Sequence, residues 1–201
     1  MPQQITPHIA FLPSGSHPLS ADVGIIRGEK RLYFYDVGAN AESLAYIQAQ
    51  KGEKAAVLSH FHQDHIGNIQ SLPQLDVYLS AHTLKYVQHG TLVQNRMTIQ
   101  DGIKLDILPF PSTHAKGSLI AVVNDTYAFL GDALYTAMKR GVPVYNVQLL
   151  REGIRLLENL PAEYLLVSHD TPFVHAKTEV LEKLKTYAAQ AQPHEAYLQM
   201  E

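Results

Sequence analysis

Short apolar stretches of strand length alternate with polar turns along the chain. Stretches of this kind, bounded by Gly, Pro, Asn or Asp, are typical of β-strands. They predict strands at Val23–Arg27, Arg31–Asp36, Ala55–Ser59, Val77–Leu79, Ile103–Leu108, Leu119–Val123, Tyr127–Leu130 and Tyr164–Val167. Only Gly-Glu-Lys separates the first two of these strands, which predicts a β-hairpin.

Apolar residues at helical spacing predict helices between these strands. The predicted helices are Ala41–Gln50, Ile66–Leu72, His82–His89, Gln148–Leu160 and Lys177–Gln190. Strands in runs that are interrupted by helices indicate sheets that pack together and are covered by helices, an α/β (α+β) arrangement. No linker, repeat or charge block divides the chain, so we expect residues 1–201 to form a single domain.

Polar residues recur where the predicted strands end. The strand that ends at Ser59 leads directly into the sequence HFHQDH, residues 60–65. Later predicted strands are followed by the segments Pro111–His114, Gly131–Asp132 and Ser168–Asp170. Functional groups often converge in loops at one rim of a rigid sheet, so we expect these segments to meet. The candidate metal ligands are His60, His62, Asp64, His65, His114, Asp132 and His169.

The spacing within HFHQDH predicts two metal ions. His60 and His62 project to the same side of an extended or turning segment, whereas Asp64 and His65 lie one turn further along. A single ion cannot take all four groups from so short a loop, but two neighbouring ions can share it. Imidazole nitrogen and carboxylate oxygen suit borderline metals such as zinc. A lone loop histidine is usually solvated, but the density of this motif favours a metal site.

Composition argues against several other functions. The net charge of −3 gives no general attraction to nucleic acid or to an anionic membrane. No apolar run approaches the ~18 residues of a membrane span. The chain has no cysteine, which excludes disulfides and thiolate ligands. The N-terminal segment lacks a signal-peptide pattern, so we expect a cytoplasmic protein. The sequence does not indicate an oligomeric state.

These motifs resemble the metallo-β-lactamase superfamily, whose signature is His-x-His-x-Asp-His followed by a distant His, Asp and His. The stretch Asp36-Val37-Gly38 is similar to the early Asp-x-Gly element of that superfamily. The resemblance spans about residues 22–170. It implies an αββα sandwich of two mixed β-sheets flanked by helices, with the metals at one edge of the sheets.

The resemblance also implies a role for each candidate ligand. His60, His62 and His114 would bind the first metal ion, and Asp64, His65 and His169 the second. Asp132 would bridge the two ions, whereas Asp36 would support the site without binding metal. The implied cofactors are two divalent ions, zinc in the first place, with manganese or iron as alternatives. A metal-bound hydroxide would attack the substrate, and Asp64 would orient this nucleophile or transfer a proton.

The resemblance implies a small carboxylic ester, thioester or lactone as the substrate. Glyoxalase II hydrolyses glutathione thioesters, but its helical substrate-binding domain has no counterpart in the residues after His169. In lactonases of the superfamily a tyrosine follows the bridging aspartate, and Tyr135 is similar. We expect Tyr135 to donate a hydrogen bond to the developing oxyanion, unless it is only a packed aromatic residue.

Lys116 lies in the turn after His114, where superfamily members often have a different sequence. We expect it to contact an anionic substrate, and the neighbouring cations of Lys139-Arg140 favour this interpretation. The alternative is a solvated lysine. Two other functions stay open: a persulfide dioxygenase that uses a single iron on this scaffold, and a non-catalytic metal-binding regulatory protein.

Overall fold

Two large β-sheets dominate the computed structural model, which describes residues 1–200. In these residues the strands, numbered in chain order, are β1 Gln3–Thr6, β2 Ile9–Leu12, β3 Gly15–Ser16, β4 Leu19–Ser20, β5 Val23–Arg27, β6 Arg31–Tyr35, β7 Glu53–Val57, β8 Asp76–Leu79, β9 Thr91–Leu92, β10 Met97–Gln100, β11 Lys104–Pro109, β12 Leu119–Val123, β13 Tyr127–Gly131, β14 Ala137–Lys139, β15 Val142–Asn146, β16 Tyr164–Val167, β17 Val174–Ala176 and β18 Tyr197–Gln199. The helices are α1 Ala41–Ala49, α2 Gln63–Ile66, α3 Ala81–Val87, α4 Val147–Asn159 and α5 Lys177–Gln190, with a 3₁₀ helix at Ile69–Ser71.

Both large sheets are mixed. The first has seven strands in the order β1-β2-β5-β6-β7-β8-β9, and the second has six in the order β10-β11-β12-β13-β16-β17. The predicted hairpin of β5 and β6 is antiparallel, whereas β6 pairs with β7 in parallel. In the second sheet β13 pairs with β16 in parallel, and the other pairs are antiparallel. The predicted fold class is therefore confirmed.

The sheets pack face to face because alternate residues of a strand point to opposite faces. In β7, Ala55 and Val57 contribute to the layer between the sheets, which also contains Leu105 and Phe129 from the second sheet. Ala56, the residue between them, points to the outer face of the first sheet. The side chains of β7 thus fill two separate apolar layers.

Helices cover the outer face of each sheet. Ile47 of α1 and Val87 of α3 are buried in the outer layer of the first sheet. Leu157 of α4 and Leu184 of α5 are buried in the outer layer of the second. The four layers form the predicted αββα sandwich. Within residues 1–200, no helix combines the length and apolar character needed to cross a bilayer.

The predicted helix at residues 66–72 is wrong in its bounds. The structure has instead the single turn α2, which begins inside HFHQDH, and a separate 3₁₀ helix. Asn68 lies between them, and its side-chain amide donates to the carbonyl oxygens of Val37 and Asn40. These bonds hold the segment against the loop that follows β6, so the helix does not continue through it.

Strand direction brings the polar segments of the sequence to one edge. The parallel strands β6 and β7 end just before Asp36 and Ser59, and the parallel strands β13 and β16 end just before Asp132 and Ser168. Parallel neighbours end on the same side of a sheet, which is where functional loops gather. The first sheet therefore contributes two loops to this edge, and the second contributes three, because the loop after β11 that carries His114 also lies there.

Candidate metal centre

The HFHQDH segment changes from an extended loop to a helical turn within six residues. His60 lies in the loop after β7, and His62 is the extended N-cap residue directly before α2. Asp64 and His65 follow in the single turn of α2, and the side chain of His65 is fully buried. The change of conformation directs the first two histidines and the later pair to different parts of the same pocket.

Two groups of ligand-type side chains meet at this edge. In each group the donor atoms lie within 4.8 Å of one another. The first group consists of His60, His62 and His114. The second group consists of Asp64, His65, Asp132 and His169. The structure therefore brings together all seven predicted ligands, in the division that the sequence motifs imply.

The nitrogens of the first group converge closely. Nδ1 of His62 lies 2.9 Å from Nε2 of His60 and 3.1 Å from Nε2 of His114. In the second group Nε2 of His169 lies 2.9 Å from Oδ2 of Asp64, and Nε2 of His65 lies 3.5 Å from the same oxygen. Each group thus has nitrogen atoms turned toward a common centre.

The carboxylate of Asp132 stands between the two groups. Its Oδ2 lies 3.3 Å from Nε2 of His114, in the first group. Its Oδ1 lies 3.3 Å from Nε2 of His65, in the second. One oxygen faces each group, as a carboxylate that bridges two metal ions would require.

In His60 and His114, the ring nitrogen that points away from the centre of the site has a hydrogen-bond partner outside the ligand groups. Nδ1 of His114 lies 3.1 Å from the carbonyl oxygen of Thr136. A carbonyl oxygen only accepts, so Nδ1 donates this hydrogen bond and Nε2 is the nitrogen turned toward the site. Nδ1 of His60 lies 2.9 Å from the hydroxyl of Ser59. Such outer partners commonly fix the tautomer and orientation of metal-binding histidines.

The pKa values of the histidines in the site are shifted in different directions. Burial, together with the neighbouring histidines, lowers the pKa of His60, and burial also lowers the pKa of His62. Both are therefore neutral at pH 7, the form that binds metal. Burial disfavours the protonated form of His65. The carboxylates of Asp36 and Asp132 favour that form more strongly, so the pKa of His65 is raised to about 10. A metal ion would have to displace that proton.

Two buried polar atoms at the centre support a metal. Among residues 1–200, Nε2 of His65 and Oδ1 of Asp132 are buried without a hydrogen-bond partner. These atoms form an ion pair at 3.3 Å, but their geometry does not form a hydrogen bond. Buried polar atoms without a hydrogen bond are costly. Together with the nitrogen and oxygen donor set, they fit divalent metal ions at both groups.

Asp36 lies behind the second group and outside both sets of donors. Its carboxylate accepts hydrogen bonds of 2.7 Å from the backbone N–H and the hydroxyl of Ser59. Its Oδ2 also lies 2.7 Å from Nδ1 of His65. Asp36 therefore orients His65 and fixes the loop that leads into His60.

Gly131 allows the Asp132 loop to approach the HFHQDH loop. Its φ of +53° lies in the left-handed region, which side chains other than glycine rarely adopt. A Cβ at this position would lie 2.9 Å from both Cβ and Oγ of Ser59. Glycine is required here because the backbone has a positive φ and because the two sheets lie too close together to leave room for a side chain.

Asp22 is a supporting residue that sequence reasoning missed. Its Oδ2 accepts a 2.9 Å hydrogen bond from the backbone N–H of His169, and its Oδ1 accepts one of 3.0 Å from Ser14. Ser168 also bonds to Asp22, through its hydroxyl. Nothing in the sequence distinguishes this aspartate from others, because its partners lie far along the chain.

The two predicted substrate contacts, Tyr135 and Lys116, have different surroundings. The hydroxyl of Tyr135 donates a 2.7 Å hydrogen bond to the carbonyl oxygen of Ser168, and its ring centroid lies 6.2 Å from that of His114. To donate to a substrate, this phenol would first have to leave Ser168. Lys116 is exposed, in a turn that packs against Ser80 and His82.

Comparison with known proteins places these features in context. No protein-family model matches the chain. A hydroxyacylglutathione hydrolase of Yersinia pestis (strain Pestoides F) is 29% identical over 180 residues, which cover 81% of this chain and 68% of the relative. The sequence of this chain is therefore similar to those of the hydroxyacylglutathione hydrolases, the glyoxalase II enzymes.

Solved structures show the same architecture. A metallo-β-lactamase from Pontibacter korlensis aligns with a TM-score of 0.70 at 18% identity, covering 96% of this chain and 99% of that one. An archaeal metallo-β-lactamase superfamily protein from Sulfolobus tokodaii aligns with a TM-score of 0.64 at 19% identity, covering 94% and 90%. The chain therefore has the metallo-β-lactamase fold that its motifs predicted, and its sequence resembles the hydroxyacylglutathione hydrolases.

Proposed function

We propose that this chain is a dinuclear metal-dependent hydrolase that acts on a small carboxylic ester, thioester or lactone. The observation that carries the proposal is the carboxylate of Asp132, with one oxygen facing each group of histidines. The sequence relatives are named hydroxyacylglutathione hydrolases, which supports hydrolysis and, within it, a thioester.

In this proposal His60, His62 and His114 would hold one divalent ion, and Asp64, His65 and His169 would hold the other. Asp132 would contact both. When bound, such ions polarise a carbonyl and lower the pKa of water from 15.7 toward ~7, which supplies hydroxide at neutral pH. The outer partners Ser59, Thr136 and Asp36 keep the histidine rings in place during the reaction, so the donors need not reorganise.

Asp64 would handle a proton at its other carboxylate oxygen, because Oδ2 is the oxygen that lies against His65 and His169 in the second group. Burial disfavours the ionised form of Asp64. The hydrogen bond with His169 favours that form more strongly, so the pKa of the carboxyl is lowered. Asp64 is therefore a carboxylate at neutral pH. As an acceptor it would orient the attacking water, and as a base it would take a proton from that water and pass it to the leaving group.

Metal content tests the dinuclear proposal directly. Protein purified without chelator and saturated with zinc or manganese should contain close to two ions per chain, because the seven donors form two groups. Elemental analysis on a sample of known protein concentration measures this. A firm value of one iron per chain, with oxygen consumption on a persulfide, would assign the chain to the dioxygenases instead.

Replacing Asp64 by Asn removes the negative charge of the side chain and keeps its shape. The amide keeps the side-chain volume but cannot take up a proton, so we expect kcat to fall by roughly 10²-fold or more while KM changes less. Steady-state kinetics on an activated ester, with metal content measured on the same sample, provide the test. Wild-type turnover at full metal occupancy would remove Asp64 from the proton transfer.

A further inference from the structure

A cavity of about 380 Å³ lies beside the candidate metal centre. Its wall is formed by the segment 134–136 that follows Asp132, by strands β15 and β16, and by one face of α5. This volume lies within the range of small-molecule binding sites, roughly 300–1,000 Å³. No residue of the two ligand groups lines the cavity, so it is a separate feature of the site.

The cavity touches both ligand groups through their immediate neighbours. Tyr135 and Thr136 line it, and the same two residues contact the first group: the Tyr135 ring lies near His114, and the Thr136 carbonyl accepts from it. Asp170 also lines it and directly follows His169 of the second group. The cavity therefore adjoins the neighbours of both ligand groups.

The lining of the cavity suits an apolar group. Val167 and Leu184 are buried at its base, and Val180 of α5 adds a further aliphatic surface. Tyr145 and Tyr187 form an aromatic wall, with ring centroids 5.9 Å apart and 29° between their planes. These side chains present carbon atoms, which favour alkyl or aryl groups over hydrated ones.

Two tyrosine hydroxyls of the lining already have partners within the protein. That of Tyr145 donates a 2.7 Å hydrogen bond to the carbonyl oxygen of Leu134, and that of Tyr135 donates to Ser168. Nε2 of His175 lies 3.1 Å from Oδ2 of Asp170 but makes no hydrogen bond. Exposed Glu179 and Lys183 have opposite charges, so together they favour neither an anion nor a cation.

We propose that this cavity binds an alkyl or aryl group of the substrate while the carbonyl to be hydrolysed lies at the metal centre. This inference rests on the proposed hydrolase function and names its substrate class: esters and thioesters with an apolar acyl group. Such a group leaves water on binding, and each buried methylene should raise kcat/KM about threefold to fourfold until the cavity is full.

Kinetics on a series of substrates test the inference. Acyl thioesters of N-acetylcysteamine, from acetyl to octanoyl, are compared on the metal-loaded enzyme with a hydroxyacyl glutathione thioester. We expect kcat/KM to rise with chain length, and octanoyl to be preferred over the glutathione thioester. Equal kcat/KM along the series, or preference for the glutathione thioester, would overturn the assignment.

A matched pair of variants tests the location. Val180→Phe should fill part of the cavity and lower kcat/KM for octanoyl thioester roughly tenfold while leaving the acetyl thioester unchanged, about the loss of two methylenes. Leu181→Phe is the control, because Leu181 is the next residue of α5 but does not line the cavity. Equal effects of the two variants on octanoyl thioester would refute the location.

Binding of octanamide, measured by calorimetry on the same metal-loaded proteins, gives a result that does not depend on hydrolysis. We expect octanamide to bind wild type and Leu181→Phe at least tenfold more tightly than Val180→Phe, and acetamide to bind none of them measurably. If no ester or thioester is hydrolysed, the hydrolase proposal and the substrate assignment fail, whichever protein binds octanamide. If thioesters are hydrolysed but octanamide binds all three proteins equally, the cavity assignment alone fails.

Discussion

Replacing Asp132 by Ala should reduce hydrolysis at least 100-fold and lower the metal affinity of both groups. Loss of a residue that only supports a metal ligand typically costs about 10–100-fold, and Asp132 faces both groups directly. Its removal also leaves neighbouring histidines without the negative charge between them. Metal titration followed by kinetics at saturating metal would measure the two effects separately.

Asp76→Ala is a suitable control for this experiment. Asp76 also forms an ion pair, with the guanidinium of Arg31, but it is exposed and lies outside both ligand groups. Exposed pairs of this kind contribute only about 0–1 kcal/mol, so metal content and activity should stay at the wild-type level. If Asp132→Ala retained full metal content at both groups, the bridging role would be refuted.

Replacing Asp36 by Ala should destabilise the protein by roughly 3–5 kcal/mol, since a buried charged partner is removed. The substitution leaves the N–H of Ser59 and the Nδ1 of His65 without their acceptor in a fully buried position. Urea unfolding of metal-free wild type and variant would measure the difference. Metal affinity should fall by about 10–100-fold, because His65 loses the group that orients it.

The same variant should change how stability depends on pH. The pKa of His65 is raised in the folded metal-free protein from 6.5 to about 10, so its protonation favours folding. That contribution is fully present below about pH 6.5 and is lost as pH rises through about 10. The stability difference between wild type and Asp36→Ala should therefore shrink between pH 6 and pH 10. A difference that stays constant over this range would contradict the pairing.

Continuous apolar burial accounts for several strands that sequence patterns predicted well, although β2, which is buried at every residue, was missed. All residues of β12 are buried, and most of β5 and β16 are, so their sequences are clearly strand-like. By contrast β1, an edge strand with the sequence QQIT, and β14 are half-exposed or exposed, so their side chains give no alternating signal. The order of strands in the sheets depends on contacts between distant segments, which local patterns do not encode.

The candidate ligands were predictable because their chemistry is visible in residue type and spacing. Asp22 was not, because its bond to Ser168 joins residues 146 positions apart. Thr136 acts through its backbone carbonyl, which every residue has. The hydrogen bond of Tyr135 to Ser168 likewise needed the fold, and its predicted contact with substrate stays a prediction, as do the single domain and the cytoplasmic location.

The seven candidate ligands are divided between the two sheets. His60, His62, Asp64 and His65 follow β7 of the first sheet, whereas His114, Asp132 and His169 follow strands of the second. Each ligand group draws on both sheets, so bound ions would cross-link the halves of the sandwich at this edge. By mass action, an ion present at 100 times its dissociation constant would add about 2.7 kcal/mol to the free energy of unfolding. Metal supply would then govern resistance to unfolding and proteolysis as well as turnover.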